Sequence, residues 1–332
     1  MSADGAEARM TAPHSIKLAA GSGPTFGVDD LACAAATVLG YWEQAGLSVS
    51  WTPARGGLAA MGMVLAGEVD AAYGGLGPVL QLRAQGQPTR IVASMARALA
   101  QNLVVRRRIT RTDQLRGAAW AVDGIGALSH HMARCVIAAL GIADDEVDWR
   151  VVGPPPERIA QLLSGAVDAS LIRVEEALAL TSDPANDLTL LLGFAELKDL
   201  VPVQPHGVLA TTEAFERSNP DTLERLAQGI IVASRRLNDD FEAFRTVYEH
   251  YVTVRLPAAE IKAIWRQERA AGGFAVNGEM TEAHWSRQLA SFADLNPDLP
   301  TVDRAAILST GFVDAALARL GRVSGPDAAV PA

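Results

Sequence analysis

Leu65-Ala66-Gly67-Glu68-Val69-Asp70-Ala71 is echoed by Leu163-Ser164-Gly165-Ala166-Val167-Asp168-Ala169, every matched position lying 98 residues further on. The match runs back without a gap to Val49-Ser50-Trp51 and Val147-Asp148-Trp149. Each copy reads as a helix feeding a strand, which predicts two similar α/β lobes. The period is too long for a solenoid, and two copies are too few to stack into one. Like lobes leave a cleft between them, the usual seat of a small ligand.

At 332 residues the chain is long enough for two cores, since single cores stop growing near roughly 250–300 residues. A hydrophobic share of 49% and a charged share of 20% are those of an ordinary soluble globular protein. The net charge of −9 argues against nucleic acid as a partner, because phosphate binding needs concentrated Lys and Arg. The one basic run, Arg106-Arg107-Arg108 with Arg111, reads as a solvated lobe-crossing segment. Cys33 and Cys135 fall in apolar, Ala-rich helical patterns and read as small buried hydrophobes without a cue for an activating base. No stretch reaches the length of a membrane span: Val92 to Val105 is interrupted by Arg97, Gln101 and Asn102. Met1 to Ser15 lacks the basic start and apolar core of a signal peptide and reads as a disordered leader. Either the protein works in the cytoplasm or its export signal is not part of this sequence.

Along the chain, strands are expected at Ile16 to Ala20, Leu47 to Trp51, Val69 to Tyr73 and Arg90 to Ser94, with helices between them. Asp29 or Asp30 is a candidate N-cap for the first helix. Asn102 to Arg106 reads as the exit from the first lobe. The second lobe repeats the plan with strands at Ala118 to Val122, Val147 to Val152, Ala169 to Ile172 and Leu188 to Leu192. His206 to Ala210 reads as a strand returning to the first lobe, with Thr211 or Thr212 capping the next helix. Pro220 to Leu320 is almost wholly helical, broken at Pro257, Gly272-Gly273, Pro297 and Pro300. The expected domains are a leader (1–15), a discontinuous first lobe (16–105 and 206–322), an inserted second lobe (106–205) and a flexible tail (323–332).

The order of these pieces resembles a known family. Tyr41-Trp42-Glu43 to Val49, Gly56-Gly57, Leu65 to Ala72, Leu115-Arg116-Gly117 with its glycine loop, Leu163 to Ala169, and Thr211 to Pro220 with its long helix are similar to substrate-binding proteins of ABC transporters for nitrate, alkanesulfonates, taurine and thiamine pyrimidine precursors. The resemblance covers about residues 16–320 in the right order. It implies a two-lobed type II periplasmic-binding-protein-like fold, with two mostly parallel sheets flanked by helices, that closes like a hinge around a solute. It also implies a monomer working outside the cytoplasm with an ABC permease as partner. The same fold hosts cytoplasmic desulfinases and decarboxylases, so the missing export signal keeps an enzyme or a ligand-gated sensor open as alternatives.

In open α/β sheets, ligands sit beyond the carboxyl ends of the strands, where loops enter helix N-termini. The candidate binding residues therefore come from glycine-rich loops: Ser22, Gly23, Pro24 and Thr25; Arg55, Gly56 and Gly57; Tyr73, Gly74 and Gly75; Gly124, Ile125 and Gly126. Glycine lets the backbone approach a ligand, and a helix start favours a negative group. Met95, Ser129, His130 and His206 join them by position. Arg173, at the end of a predicted strand, is a candidate for a two-pronged bond to an anion, against local pairing with Glu175 or Glu176; in the first case Arg173→Ala leaves unliganded stability nearly unchanged. No cofactor or metal is expected, because adjacent His130 and His131 point different ways and no HExxH, GxSxG or Cys-rich motif is present. Trp42, Trp51, Trp120, Trp149, Trp265 and Trp285 fall at core-facing positions. The expected function is solute binding for an importer, with an anionic or aromatic organic ligand; in the enzyme alternative, His130 or His206 is the acid or base.

Overall fold

The computed structural model describes residues 13–22, 26–97, 100–201, 207–279 and 281–324. The chain opens with β1 (His14–Ala20), α1 (Leu31–Val38), α2 (Tyr41–Gln44), β2 (Leu47–Pro53), α3 (Gly57–Leu65), β3 (Ala71–Gly75), α4 (Leu76–Ala84) and β4 (Thr89–Ala96). It continues through β5 (Gln101–Arg106), β6 (Ala119–Val122), α5 (Leu128–Ala139), β7 (Asp148–Val151), α6 (Pro155–Ser164), β8 (Ala169–Arg173), α7 (Val174–Ser182), β9 (Leu188–Leu192) and α8 (Phe194–Leu200). After β10 (Gly207–Thr212) come α9 (Glu213–Ser218), α10 (Pro220–Asp239), α11 (Phe241–Tyr251), α12 (Ala258–Ala271), α13 (Glu282–Leu295), α14 (Arg304–Ile307) and α15 (Gly311–Leu320).

Two five-stranded sheets result, in the orders β2-β1-β3-β10-β4 and β7-β6-β8-β5-β9. In each, one strand runs against its neighbours: β10 is antiparallel to β3 and β4, and β5 to β8 and β9. These are the two strands that arrive from the other sheet. The sheets are therefore mixed, with the remaining strands parallel and joined by helical crossovers. One boundary needs correction. β5, read as the exit from the first lobe, pairs inside the second sheet, so the change of sheet precedes Gln101 rather than residue 106. β3 likewise starts at Ala71 rather than Val69.

The sequence repeat has a hydrogen-bonding reason. Asp70 accepts the Lys17 N–H through its carboxylate at 2.7 Å while its own N–H donates to the Lys17 carbonyl. Asp168 does the same with Ala119, its carboxylate 3.1 Å from the Ala119 N–H. Each aspartate thus ties the strand it precedes to the middle of its sheet. The preceding glycines, Gly67 and Gly165, both adopt positive φ, +72° and +77°, which ends the helix and turns the chain into that strand.

Cores lie on both faces of both sheets. On one face of the first sheet, Trp42, Phe244 and Tyr248 pack with α1, α10 and α11. Trp120 anchors the second lobe beside Trp149, their ring centroids 5.9 Å apart. Trp42, Trp120 and Trp285 are fully buried, whereas Trp51 and Trp149 are only partly so. The basic run Arg106–Arg108 is paired with Asp187 and Asp168 on the second lobe. No described helix is long and apolar enough to cross a membrane.

The loop and the helix before it predict opposite effects for the same change. Gly67→Ala, where a Cβ meets nothing within 4 Å but φ is +72°, should lower stability by about 1–2 kcal/mol. Gly62→Ala, inside α3 and equally uncrowded, should raise it by about 0.5–1 kcal/mol. Denaturant midpoints of the two variants check both signs.

Candidate functional site

Between the two sheets lies a cavity of about 80 Å³. Besides α1, which starts after the lining residue Asp30, five helices begin on its wall: α3 with Gly57, α4 after Gly75, α5 with Leu128 and Ser129, α6 with Pro155 after Pro154, and α7 after Arg173. None of the five has a side-chain hydrogen bond capping its start. Off the cavity, α9, α11, α13 and α14 are capped by Thr212, Asp240, Thr281 and Asp303, while α2, α10, α12 and α15 start without a side-chain cap, so it is the convergence of starts rather than the missing caps that marks the cavity. First-turn N–H groups are orphan donors, and aligned peptide dipoles put partial positive charge at a helix start. Four of the five starts bring both N–H groups and dipole, and α6, which opens on Pro155 and Pro156, brings its dipole alone; together they make a setting for negative charge.

Two arginines and two aspartates also line the cavity, each arginine matched to an acid. Arg158, in the first turns of α6 and 5% exposed, stands 2.9 Å from Asp123. It also donates to the Leu171 carbonyl at 2.6 Å and to the Ser170 hydroxyl at 3.2 Å. Arg173 reaches across to Asp30 at 3.3 Å and lies 3.9 Å from Glu176. Burial opposes its charge, but Asp30, Glu176 and Glu175 more than offset that, so its pKa is raised. Beside them the Tyr73 hydroxyl is hydrogen-bonded to the Ser22 hydroxyl. Burial and then the Asp30 charge hold the Tyr73 phenol well above its ordinary pKa, so it stays protonated.

Of the residues singled out by sequence, the cavity brings together Ser22, Gly57, Tyr73, Gly74, Gly75, Ser129 and Arg173. Ser129 accepts the Asp123 N–H at 2.8 Å, which leaves its own O–H to donate. Gly56, Gly124, Ile125 and Gly126 flank the cavity without lining it, and Ile125 is 57% exposed. Gly23, Pro24, Thr25 and His206 lie outside the described residues, as does the Asp29 side chain.

Four expectations are corrected. Tyr73, expected from its place at a strand end before Gly74-Gly75 to stack on a ligand, is instead stacked on Phe26 and edge-on to Trp51, so it offers the cavity its hydroxyl end rather than a ring face. Met95 is buried against Cys33, with sulfurs 2.9 Å apart. Arg55 pairs with Glu157 of the other lobe at the exposed rim. Arg173 is an internal ion-pair partner rather than an unengaged cleft arginine. Removing one member of a buried pair costs about 3–5 kcal/mol, so Arg173→Ala is expected to lower the unliganded melting temperature.

Arg158, Asp123 and Asp30 were missed as site residues, though the repeat carries a signal for the first. Arg158 stands 98 positions after Ala60, a fully buried core residue of α3. A charge at a position whose repeat partner is core must have a buried partner or a ligand.

The histidines and cysteines are poised for packing. His130 accepts the Gly126 N–H on Nδ1 and lies edge-on to Trp149. Burial first, then repulsion by Arg134, lowers its pKa to about 4. His131 is likewise pushed down to about 4, by burial, Arg134 and His130. Burial raises both thiol pKa values. No described group of three or more His, Cys, Asp or Glu residues is arranged to hold a metal.

A two-sheet α/β molecule with helix starts around an interlobe cavity has the periplasmic-binding-protein fold. The family model described as NMT1/THI5 like matches residues 31–233, more than half the chain, and the protein belongs to that family. A solved structure from Bordetella bronchiseptica RB50 shares 21% identity at TM-score 0.77, covering 94% of this chain and 99% of its own. The alkanesulfonate-binding protein SsuA from Xanthomonas axonopodis pv. citri, bound to MOPS, shares 18% at TM-score 0.70, covering 90% and 100%. The periplasmic nitrate-binding protein NrtA from Synechocystis PCC 6803 shares 13% at TM-score 0.71, covering 93% and 89%. No curated protein matches the sequence.

Two predictions test the closed interface. A Cβ on Gly75 would lie 2.5 Å from Leu128 Cδ1 and 2.6 Å from Leu128 Cβ, across the lobes. Gly75→Ala should therefore hold the lobes apart and enlarge the radius of gyration in solution scattering, while Gly62→Ala leaves it unchanged. His131 has a folded pKa of about 4 against 6.5 unfolded, so between those values the unfolded chain binds more protons. Stability should fall as pH drops from 6.5 towards 4, by up to about 1.4 kcal/mol per pH unit from this residue. Denaturation of His131→Asn across that range should show a flatter slope.

Proposed function

We propose that this protein is the solute-binding component of an ABC-type importer, closing its two lobes on a small solute that carries an anionic group. The observation that carries the reading is the convergence of five uncapped helix starts on one interlobe cavity. Each start contributes about 0.3–1 kcal/mol to an anion when exposed, and up to about 2 kcal/mol when partly buried. Arg158 adds a planar set of donors already fixed by Asp123, so little side-chain entropy is lost on binding. Membership of the NMT1/THI5-like family and neighbours named for sulfonate and nitrate binding support the same reading. In it the protein acts outside the cytoplasmic membrane and delivers its solute to a permease.

A thermal-shift series with nitrate, ethanesulfonate, MOPS and small aromatic carboxylates tests this, with mass analysis of each hit after incubation. A ligand at about 100 times its dissociation constant adds roughly 2.7 kcal/mol of stability. A hit recovered unchanged supports the binding protein; a hit recovered altered overturns it in favour of an enzyme on the same fold. Arg158→Gln alone leaves the half-buried Asp123 without its ion-pair partner, so the paired variant Asp123→Asn/Arg158→Gln is the cleaner probe. It should weaken the best hit at least tenfold, about 1.4 kcal/mol, as read by titration calorimetry.

A further inference from the structure

The two lobes meet directly through side-chain contacts. Arg173, the last residue of β8 in the second sheet, enters the first lobe and meets Asp30 at 3.3 Å, both side chains at most 10% exposed. The same turn receives Glu175, whose carboxylate accepts the Val28 N–H at 3.3 Å. A Cβ on Gly27 would fall 2.3 Å from Arg173 Cδ, so the turn is shaped to let this arginine pass. A second bridge at the cleft, Arg55 to Glu157, is exposed, and exposed pairs contribute little.

Arg173 and Asp30 also line the cavity. A solute entering there meets this pair directly. A buried pair gains attraction but forfeits the hydration both ions recover when the lobes part, and the two effects largely offset. Such a contact holds two conformations within reach of each other, which is what a ligand needs to shift the balance.

We infer that Asp30 and Arg173 form a latch that closes the empty cleft, and that the acidic group of an entering solute takes the place of Asp30 on Arg173. The second half rests on the binding reading above; the first half does not. Asp30 is then an internal stand-in for the ligand's anion. Its carboxylate keeps Arg173 satisfied between solutes and competes with every anion for it. Asp30→Asn keeps an oxygen for the Gly27 N–H that Asp30 now accepts at 3.0 Å, so the turn is preserved while the charge is removed. Gly27→Ala keeps every charge and blocks the approach of Arg173; its backbone is extended, with φ −110°, and accepts a side chain.

Spin labels on Pro53→Cys and Val151→Cys, at the cleft ends of the edge strands β2 and β7, report lobe separation in ligand-free protein. The unsubstituted turn should give mainly short distances, and both Asp30→Asn and Gly27→Ala should move the population to longer ones. Unchanged distributions in both variants, with melting curves showing them folded, overturn the latch. Calorimetry with sulfate and ethanesulfonate then reads the exchange: Asp30→Asn should bind at least tenfold more tightly than the parent. Equal or weaker binding of both probes overturns it, and tighter parent binding of ethylammonium assigns Asp30 to a cationic group instead. The distance measurement uses no ligand, so its failure is separable from failure of the importer reading.

Discussion

The direction of the strands governs the site. In each sheet every strand but the arriving one runs the same way, and the carboxyl ends of both sets open on one gap. Helices that follow such strands start there, and the starts of α3, α4, α5 and α7 leave donors without an intrahelical partner, whereas α6 opens on Pro155 and Pro156, which carry no N–H, and brings its dipole alone. A cap supplied by Ser, Thr, Asp or Asn would consume those donors. Gly56, Gly75, Ala127, Pro154 and Arg173 stand at these positions instead, and none of them takes that role.

Buried charge then decides what the gap tolerates. An unpaired ion in a small enclosed space is costly, and the cavity meets this by matching Arg158 to Asp123 and Arg173 to Asp30. The two pairs differ in kind. Arg158 and Asp123 belong to the same lobe, where the arginine is also held by Leu171 and Ser170, so that pair persists through any lobe motion. Arg173 and Asp30 belong to different lobes, so their contact depends on how the lobes sit together. One pair lies within a lobe and the other between lobes, a distinction that comes from topology alone.

Closure also involves apolar and aromatic contact. α5 meets α4 and α13 of the first lobe, with His131 beside Gly77 and Phe292. A neutral imidazole suits that surface, and burial keeps it neutral. Among the described strands the chain changes sheet twice, before β5 and before β10.

The sequence by itself determined the two-lobed plan. The 98-residue echo, the alternation of helix and strand and the glycine loops are local patterns, and local periodicity is carried by adjacent residues. The echo even marked Asp70 and Asp168, whose matching roles need only neighbouring strands of one sheet. The glycine loops pointed to Ser22, Gly57, Tyr73, Gly74, Gly75 and Ser129 because a helix start is written in the few residues around it. Tertiary structure decided the charges. Asp30 reads as a helix cap and Arg158 as one more polar residue of a helix until the lobes are assembled. Arg173 and Asp30 are 143 residues apart, and whether an arginine at a strand end meets a solute, a neighbour or the opposite lobe depends on which surfaces close together. Burial and pairing across a cleft are properties of the assembled volume, and no window of sequence contains both partners.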